Sequence, residues 1–289
     1  MARTAFRLVD VFTERPFAGN QLCVVPEPFS LPSKAMQALA REIGFSETTF
    51  VSEAAGNRYA MRIFTPEAEL PFAGHPTLGT AFVLVTEGRV GSPATQVTAA
   101  GEVSVEVEAD RGFATMHQLP PAFGDEVYDV DAVALAIGLT TKELHPDLLP
   151  RVVGTGLEHL MVPLTDVAAV EHASCDIART SRVLAEIGVD GLYLFALDER
   201  GAKARLFAPA MGTVEDPATG SAAGPLGAYL AANGLGGMPG SILVRQGDEI
   251  GRPSELHVTV YPEGDSWRVS VAGGVVVVGE GWFEAEPPG

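Results

Sequence analysis

The chain has 289 residues, enough for one large domain or for two domains of ordinary size. Hydrophobic residues make up 46% of it and charged residues 19%, so it can bury substantial cores and is not intrinsically disordered. A formal net charge of −18, with only 19 Lys and Arg residues, disfavours a nucleic-acid or anionic membrane surface, because such surfaces are bound by clustered positive charge.

The cysteine content and the beginning of the chain predict a soluble protein of the reducing cytoplasm. Cys23 and Cys175 are its only cysteines, and they lie far apart with no CxxC motif. The first residues do not read as a signal peptide, and the longest apolar run, around Val275, is far shorter than the ~20 residues of a membrane span.

The first part of the chain is rich in predicted strands, with two predicted helices between them. One helix is expected to be capped by Ser33 and ended by Gly44, with apolar residues at helical spacing in between. The other carries Pro76 in its first turn and is apolar nearly all round, so we expect it to be buried. Strands are expected at 6–12, 21–25, 46–52, 58–64, 95–99, 103–107 and 113–119.

A polar, turn-rich break at residues 120–126 predicts a domain boundary. We therefore expect an amino-terminal domain of residues 1–120 and a carboxy-terminal domain of residues 121–278, with the tail at 279–289 returning to the first. In the second domain, helices are expected at 129–137 and 177–187. Strands are expected there at 159–164, 192–196, 204–207, 241–245, 256–261, 267–271 and 275–278.

An internal repeat links the two halves of the chain. Arg62-Ile-Phe-Thr-Pro66 recurs as Arg205-Leu-Phe-Ala-Pro209. Each copy is followed by a Gly-containing turn and then by a run of small residues typical of a packed helix, with Leu78-Gly79 in one half and Leu226-Gly227 in the other. The shared order of strand, turn and buried helix predicts a duplication, and therefore two similar domains.

The predicted starts of these two buried helices could bind an anion. Helix amino termini carry unsatisfied N–H groups and a partial positive charge, which attract a carboxylate or phosphate. If the two domains face each other across a cleft, both helix starts would hold one anionic ligand without any Arg or Lys. The alternative for the second helix is ordinary capping by Thr219 or Ser221.

Four side chains are candidates for chemistry in such a cleft. The repeat places His75 and Asp216 at equivalent turns, while Ser221 lies at a helix start and Glu47 at the start of a strand. A carboxylate becomes a workable proton carrier when burial or a second acid raises its pKa towards neutrality. The set indicates abstraction of a proton next to a carbonyl or carboxylate and the return of a proton elsewhere on the same molecule. Considered alone, Glu47 could also be a solvated carboxylate at a strand end.

Other chemistries fit the sequence less well. A P-loop requires the pattern GxxxxGK[ST], whose Lys is missing here, and the glycines at 154 and 156 are followed by His159 where a dinucleotide-binding motif needs a third glycine. With no HExxH motif and no Cys/His ligand spacing, we expect no metal ion. His159 itself has no partner visible in the sequence, which favours a structural or surface role.

Several segments, taken together, resemble the phenazine-biosynthesis isomerase (PhzF-like) family. The matching stretches are Asp10-Val-Phe-Thr-x-x-Pro-Phe-Ala-Gly-Asn20, Ser46-Glu-Thr-Thr-Phe50, Pro71-Phe-Ala-Gly-His-Pro-Thr77, Glu215-Asp-Pro-Ala-Thr-Gly-Ser221 and Gln246-Gly-x-x-x-Gly-Arg-Pro-Ser254. They run in register along nearly the whole chain. The resemblance implies an α+β fold of the diaminopimelate epimerase-like superfamily: two similar domains, each a β-barrel-like sheet around a central helix, with the active site in the cleft between them.

The resemblance also implies an isomerase without a cofactor that acts as a homodimer on a small molecule. In the best-known members the substrate is trans-2,3-dihydro-3-hydroxyanthranilate, a cyclic amino acid. Glu47 would be the general acid/base, with His75, Asp216 and Ser221 as its hydrogen-bonding catalytic partners. The substrate would be held by Asn20, Gly74 and Gly220.

Two alternatives stay open. An amino-acid epimerase or racemase would share the fold, but the related two-base enzymes use a cysteine in each half, whereas Gly74-His75 and Asp216 stand at those turns here. A non-catalytic small-molecule binding protein would keep the cleft without turnover. The presence of Glu47 together with His75 and Asp216 argues against that loss of activity.

Overall fold

The computed structural model describes residues 3–27, 31–98, 101–209 and 212–284. The chain divides into two compact units, the first formed by residues 1–117 and 272–289 and the second by residues 118–271. The boundaries expected from the sequence, after residues 120 and 278, lie a few residues from these. Residues 285–289 of the expected tail lie outside the described residues.

The first unit is a barrel of strands. Antiparallel pairing joins the first strand to the second, and parallel pairing joins the second to the third, across a helical crossover. The last strand of the chain pairs with both the first and the eighth strands, which closes the barrel. The elements of this unit are β1 (Thr4–Val11), β2 (Asn20–Val25), α1 (Ser33–Ile43), β3 (Glu47–Ala55), β4 (Arg58–Phe64), β5 (Glu69–Leu70), α2 (Gly74–Thr86), β6 (Ala94–Thr98), β7 (Gly101–Glu108) and β8 (Phe113–His117).

Helix α2 is the core of this unit. All of its residues from Gly74 to Leu84 are buried, which confirms the prediction of a helix that is apolar all round. It contacts β1, β2, β3, β6, β7 and β8. A Cβ atom at Gly79 would lie only 2.6 Å from Leu22 Cδ2 and 3.0 Å from Val11 Cγ2, so glycine permits this close packing.

The second unit has the same order of strands around a second buried helix, α6, whose residues from Gly220 to Ala231 are buried. Within the described part of the chain, no helix is long and apolar enough to cross a membrane. The elements are β9 (Ala122–Glu126), α3 (Val130–Ala136), β10 (Arg151–Gly154), β11 (Glu158–Pro163), α4 (Val167–His172), α5 (Ile177–Ile187), β12 (Gly191–Asp198), β13 (Gly201–Ala208), β14 (Thr213–Asp216), α6 (Gly220–Ala232), β15 (Gly240–Gln246), β16 (Ser254–Glu263) and the beginning of β17 (Ser266–Phe283), which continues into the first unit.

The pairing pattern of the two units repeats strand by strand. The antiparallel pair β1–β2 has its counterpart in β10–β11, and the parallel pair β2–β3 in β11–β12. The antiparallel pair β3–β4 corresponds to β12–β13, and the parallel pair β4–β6 to β13–β15. The predicted fold, two similar α+β domains each built around a central helix, is therefore confirmed.

The repeated Arg-x-Phe-x-Pro element makes the same side-chain contacts in both units. In the first, Arg62 donates two hydrogen bonds to Glu69, which lies opposite Phe64 on the next strand. In the second, Arg205 donates two hydrogen bonds to Glu215, which lies opposite Phe207. Each guanidinium also stacks over its own phenylalanine ring, at 5.0 and 4.9 Å from the centroids.

Three expectations about local structure were wrong. The break at 120–126 contains strand β9, because its backbone pairs with β10 despite the turn-like composition. The two strands predicted at 267–271 and 275–278 form the single strand β17, which crosses Gly273 and Gly274 without ending. Ser33 is the first residue of α1 rather than its cap, and its hydroxyl instead accepts a hydrogen bond from Arg62.

The two Arg–Glu pairs differ in burial, and this difference predicts different costs of breaking them. The side chains of Arg205 and Glu215 are 8% and 11% exposed, whereas those of Arg62 and Glu69 are 31% and 42% exposed. We expect Arg205→Met to lower the free energy of unfolding by about 3–5 kcal/mol, because a carboxylate is left buried without its partner. For Arg62→Met, which leaves a hydrated carboxylate, we expect a loss of about 1 kcal/mol or less.

Urea-unfolding curves followed by circular dichroism would measure both losses. Arg62→Met is the matched control, since it removes the same pair from the same position of the other unit. Equal losses for the two variants would contradict the prediction.

Candidate active site

Glu47 and His75 lie in contact at the beginning of α2. Glu47 is the first residue of β3, and His75 is the second residue of the helix. The distance between Glu47 Oε2 and His75 Nε2 is 3.3 Å, and the side chains are 14% and 5% exposed. The fold thus holds a carboxyl group against an imidazole in a nearly dry environment.

His75 is neutral, and this determines what the contact can be. Burial lowers the pKa of His75 to about 3, although a hydrogen bond to the Gln21 backbone acts in the opposite direction. Because Nε2 faces Glu47, it is Nδ1–H that donates to the Gln21 carbonyl, and Nε2 presents a lone pair. A carboxylate and a lone pair repel each other, and among the described residues nothing donates to Nε2, so a proton on the Glu47 carboxyl would turn this contact into a hydrogen bond.

Asn20 and Gly74 lie next to this pair. Asn20 begins β2, the parallel neighbour of β3, and its Oδ1 accepts a hydrogen bond of 3.0 Å from Ser46, the residue before Glu47. Gly74 opens α2, and among the described residues no side chain caps the first turn of that helix. The first unit therefore brings together Asn20, Glu47, Gly74 and His75.

In the second unit, Gln246 holds Asp216 beside the start of α6. The Gln246 side-chain amide donates to the Asp216 carbonyl at 2.8 Å and to Thr219 Oγ1 at 3.0 Å. Its carbonyl accepts from Tyr193 at 3.0 Å and from the Thr219 backbone at 3.2 Å. The Thr219 hydroxyl in turn donates to Asp216 Oδ2 at 2.5 Å. One fully buried glutamine thereby fixes the turn between β14 and α6.

Ser221 and Gly220 form the first residues of α6, and each has a partner from another element. Ser221 Oγ lies 3.3 Å from Nε2 of His159, which β11 supplies. The Gly220 carbonyl accepts a hydrogen bond of 2.9 Å from Gln118, whose own carbonyl accepts from Thr155. The second unit therefore brings together Asp216, Gly220 and Ser221 around one helix start.

The structure corrects two details of the sequence interpretation. Thr219 stands at the cap position of α6, but among the described residues no side chain caps that helix, because the Thr219 hydroxyl is bonded to Asp216 instead. The equivalent of His75 is Ser221, the second residue of the other helix, whereas Asp216 takes the place of Leu70 on the preceding strand.

Three residues that support the site, Gln246, Gln118 and His159, were not among the candidates predicted from the sequence. Gln246 lies in one of the stretches that carry the family resemblance, so a role near the site could have been expected for it. Gln118 and His159 are distant from the motifs along the chain. Only the strand pairing brings them to α6.

Comparison with known proteins shows which family the chain belongs to. The profile of a family described as "Phenazine biosynthesis-like protein" matches residues 9–281. The trans-2,3-dihydro-3-hydroxyanthranilate isomerase of Pseudomonas chlororaphis is 36% identical, over 95% of this chain and 97% of that protein. The chain belongs to the phenazine biosynthesis-like family. Relatives that match nearly the whole chain are named isomerases, and the protein is therefore an enzyme of the isomerase class.

Solved structures extend the comparison to the fold. A PhzF-family phenazine biosynthesis protein of Bacillus anthracis superposes with a TM-score of 0.88 at 30% identity, covering 99% of this chain and all of that one. A probable proline racemase of Agrobacterium radiobacter superposes with a TM-score of 0.71 at 14% identity, covering 98% of this chain and 94% of that one. This PhzF-like chain thus shares its two-unit architecture with racemases as well as with its own family.

The network around Gln246 predicts that this residue is needed for stability. Gln246→Leu would leave the buried polar groups of Thr219 and Tyr193 and the half-buried Asp216 carbonyl without their partner, so we expect a loss of at least ~2 kcal/mol in the free energy of unfolding. Gln37→Leu is the control, because Gln37 is only half-buried and its substitution removes two hydrogen bonds, to the Thr65 and Pro66 carbonyls, instead of four. Chemical denaturation measures both; a loss no larger than that of the control would refute the assigned role.

The two buried histidines predict how stability depends on pH. Burial lowers the pKa of His75 to about 3 and that of His159 to about 4, against ~6.5 in an unfolded chain. Unfolding therefore takes up a proton at each residue below pH ~6.5, so stability falls as the pH drops from there towards 4, by up to ~1.4 kcal/mol per pH unit for each group.

The double substitution His75→Gln with His159→Gln should flatten this dependence, because glutamine takes up no proton. Unfolding free energies measured from pH 7 to pH 5 would be compared with those of wild type, and His172→Gln, at the exposed end of α4, controls for the substitution itself. An unchanged slope in the double variant would show that these histidines are not buried as neutral groups.

Proposed function

We propose that this PhzF-like isomerase moves a proton within a small carboxylate-bearing substrate, such as a cyclic amino acid, with Glu47 as general acid/base and without a cofactor. The observation that carries the proposal is the buried contact between Glu47 Oε2 and His75 Nε2. A proton on the Glu47 carboxyl would be stabilised there by a neutral acceptor, so this residue can take up a proton from the substrate and later supply one.

The proton transfer would have two steps. In the first, the Glu47 carboxylate removes a proton from a substrate carbon, and the electron pair of the broken C–H bond moves into the adjacent π system. In the second, the Glu47 carboxylic acid, whose O–H exchanges with solvent between the steps, gives a proton to another carbon of the same system. Atoms and charge balance without any co-reactant, and His75 accepts a hydrogen bond from the acid between the steps.

The two helix starts support binding of an anionic substrate. The first turns of α2 and α6 have no side-chain caps among the described residues and contain no acidic residue, so their N–H groups suit a carboxylate. In this proposal Gly74 and Gly220 donate through their backbone, and Ser221 through its hydroxyl. That both helix starts serve one ligand stays a prediction from the sequence.

Asn20 and Asp216 would bind the polar substituents of the substrate. Asp216 is oriented by Thr219 and Gln246, and a carboxylate can accept several hydrogen bonds, so it suits an amino or hydroxyl group. Asn20 is oriented by Ser46 on the neighbouring strand. Since trans-2,3-dihydro-3-hydroxyanthranilate, the substrate of the Pseudomonas chlororaphis relative, carries such groups, it is the first compound to test.

The cysteines support carboxylate chemistry over thiol-based epimerisation. Cys23 is buried in β2, and burial raises the pKa of its thiol to about 12, so it is not a thiolate at neutral pH. Cys175 donates to Thr180 Oγ1 beside the start of α5, and its pKa is also raised, mainly by burial. Neither cysteine lies at the start of α2 or α6, where a two-base epimerase would need one.

We further propose that the protein acts in the cytoplasm as a homodimer. The two cysteines form no disulfide with each other, which fits a reducing compartment. Light scattering on the purified protein would test the assembly, with twice the chain mass of 30.3 kDa expected. The proposed partners are a small-molecule substrate and a second copy of this chain, with no nucleic acid and no membrane, in keeping with the net charge of −18.

The proposal predicts that Glu47→Gln abolishes proton exchange. With trans-2,3-dihydro-3-hydroxyanthranilate in deuterated water, wild type should form product that contains deuterium, and the variant should lose at least ~100-fold in rate, because an amide cannot carry the proton. Mass spectrometry measures the incorporation. Glu53→Gln is the matched control: it makes the same change at an exposed position of the same strand and should keep full activity.

Three results would count against the proposal. Undiminished exchange in Glu47→Gln would remove its central residue. Inversion of a chiral centre in an amino acid, followed by polarimetry and dependent on Cys23 or Cys175, would favour the epimerase alternative. Binding without exchange by wild type, across cyclic amino acids of this type, would favour a binding protein.

A further inference from the structure

His159 stands in the second unit where Leu22 stands in the first. Leu22 pairs in parallel with Glu47, the first residue of β3, and His159 pairs in parallel with Gly191, the first residue of β12. In both units the phenylalanine of the Arg-x-Phe-x-Pro element lies opposite the next residue of that strand, so the register is the same. The second unit therefore has glycine at the position of Glu47 and an imidazole on the adjacent strand.

With glycine in place of Glu47 and histidine in place of Leu22, the second unit has His159 at the start of α6. In the first unit the second helix residue, His75, is contacted by Glu47 from β3. In the second unit the second helix residue, Ser221, is contacted by His159 from β11, with Nε2 at 3.3 Å from Oγ. A Cβ atom on Gly191 would lie 2.8 Å from Leu206 Cδ1 and 3.3 Å from His159 Nδ1, so the glycine leaves room for both side chains.

The burial of His159 indicates which of its nitrogens carries the proton. The residue is 2% exposed, and its Nδ1 has no hydrogen-bond partner among the described residues. Since burial lowers the pKa of His159 to about 4, the ring is neutral and has a single N–H. An unpaired buried N–H donor is rarer than an unpaired acceptor, so the proton belongs on Nε2, where Ser221 Oγ can accept it.

We propose that His159 is a positioning residue for Ser221: its Nε2–H donates to the serine oxygen and so directs the serine hydroxyl proton to an acceptor on the substrate. A serine hydroxyl has one proton, and when its oxygen already accepts from an imidazole, the proton is left for another partner. The partner that this arrangement suits is a carboxylate oxygen at the start of α6. The inference rests on the proposed function in assigning Ser221 to the substrate.

The first test is the tautomer itself, which requires no substrate. In long-range ¹H–¹⁵N spectra of uniformly labelled protein at pH 7, the His159 signals are identified by their absence in His159→Gln. We expect the pattern of a neutral ring protonated at Nε2, with an Nε2–H proton shift that changes in Ser221→Ala. A ring protonated at Nδ1, or at both nitrogens, would overturn the proposal.

The second test separates positioning from a merely structural role. With trans-2,3-dihydro-3-hydroxyanthranilate, we expect His159→Leu to raise KM about five- to tenfold, the effect expected for one hydrogen bond, with a smaller change in kcat. His159→Gln, which keeps an N–H donor at a similar reach, should restore most of that loss. In a Ser221→Ala background, His159→Leu should have no further effect, because there is no hydroxyl left to direct.

An equal effect of His159→Leu with and without the Ser221 hydroxyl would overturn the proposal, since it would show that the residue acts through packing. Failure of this proposal can be distinguished from failure of the proposed function. If Glu47→Gln leaves proton exchange intact, the proposed function fails, while the protonated nitrogen of His159 and its response to Ser221→Ala still decide the role of His159.

Discussion

Burial of almost all of one helix in each unit is the constraint on which the rest of the structure depends. Small residues make it possible: a Cβ atom at Gly79 would lie 2.6 Å from Leu22, and one at Gly227 would lie 2.5 Å from Val258. A helix packed this closely cannot shift or fray, so the second residue of each, His75 or Ser221, is held in place within a desolvated environment. The site chemistry is a consequence of this packing.

The two units keep the same contacts where the fold requires them and differ where the proposed chemistry requires it. The cluster of Arg, Glu and Phe is common to both. Its Arg donates to the Glu of the short strand before each buried helix, and so joins that strand to the one that carries the Arg and the Phe. At the helix starts, an acid beside a histidine in one unit corresponds to a histidine beside a serine in the other. In the proposed reaction the first pair carries the proton and the second binds an anionic group.

Strand β14 shows how two adjacent acids acquire different roles. Successive residues of a strand point to opposite faces, so Glu215 reaches Arg205 on one side while Asp216 reaches Thr219 on the other. Glu215 is therefore a structural residue, held in a pair with a guanidinium that also donates to the backbone carbonyls of Val170 and Ala173. Composition alone does not distinguish them.

The sequence by itself determined the class of fold, the two buried helices and the family, because the repeat, the apolar runs and the motifs are local patterns. It also singled out Glu47 and His75, although without their contact. Only the tertiary structure decided that Ser221, and not Asp216, is the counterpart of His75, and that Gln246 and His159 support the second helix start. These relations depend on strand register and on pairing between distant segments, which no spacing along the chain encodes.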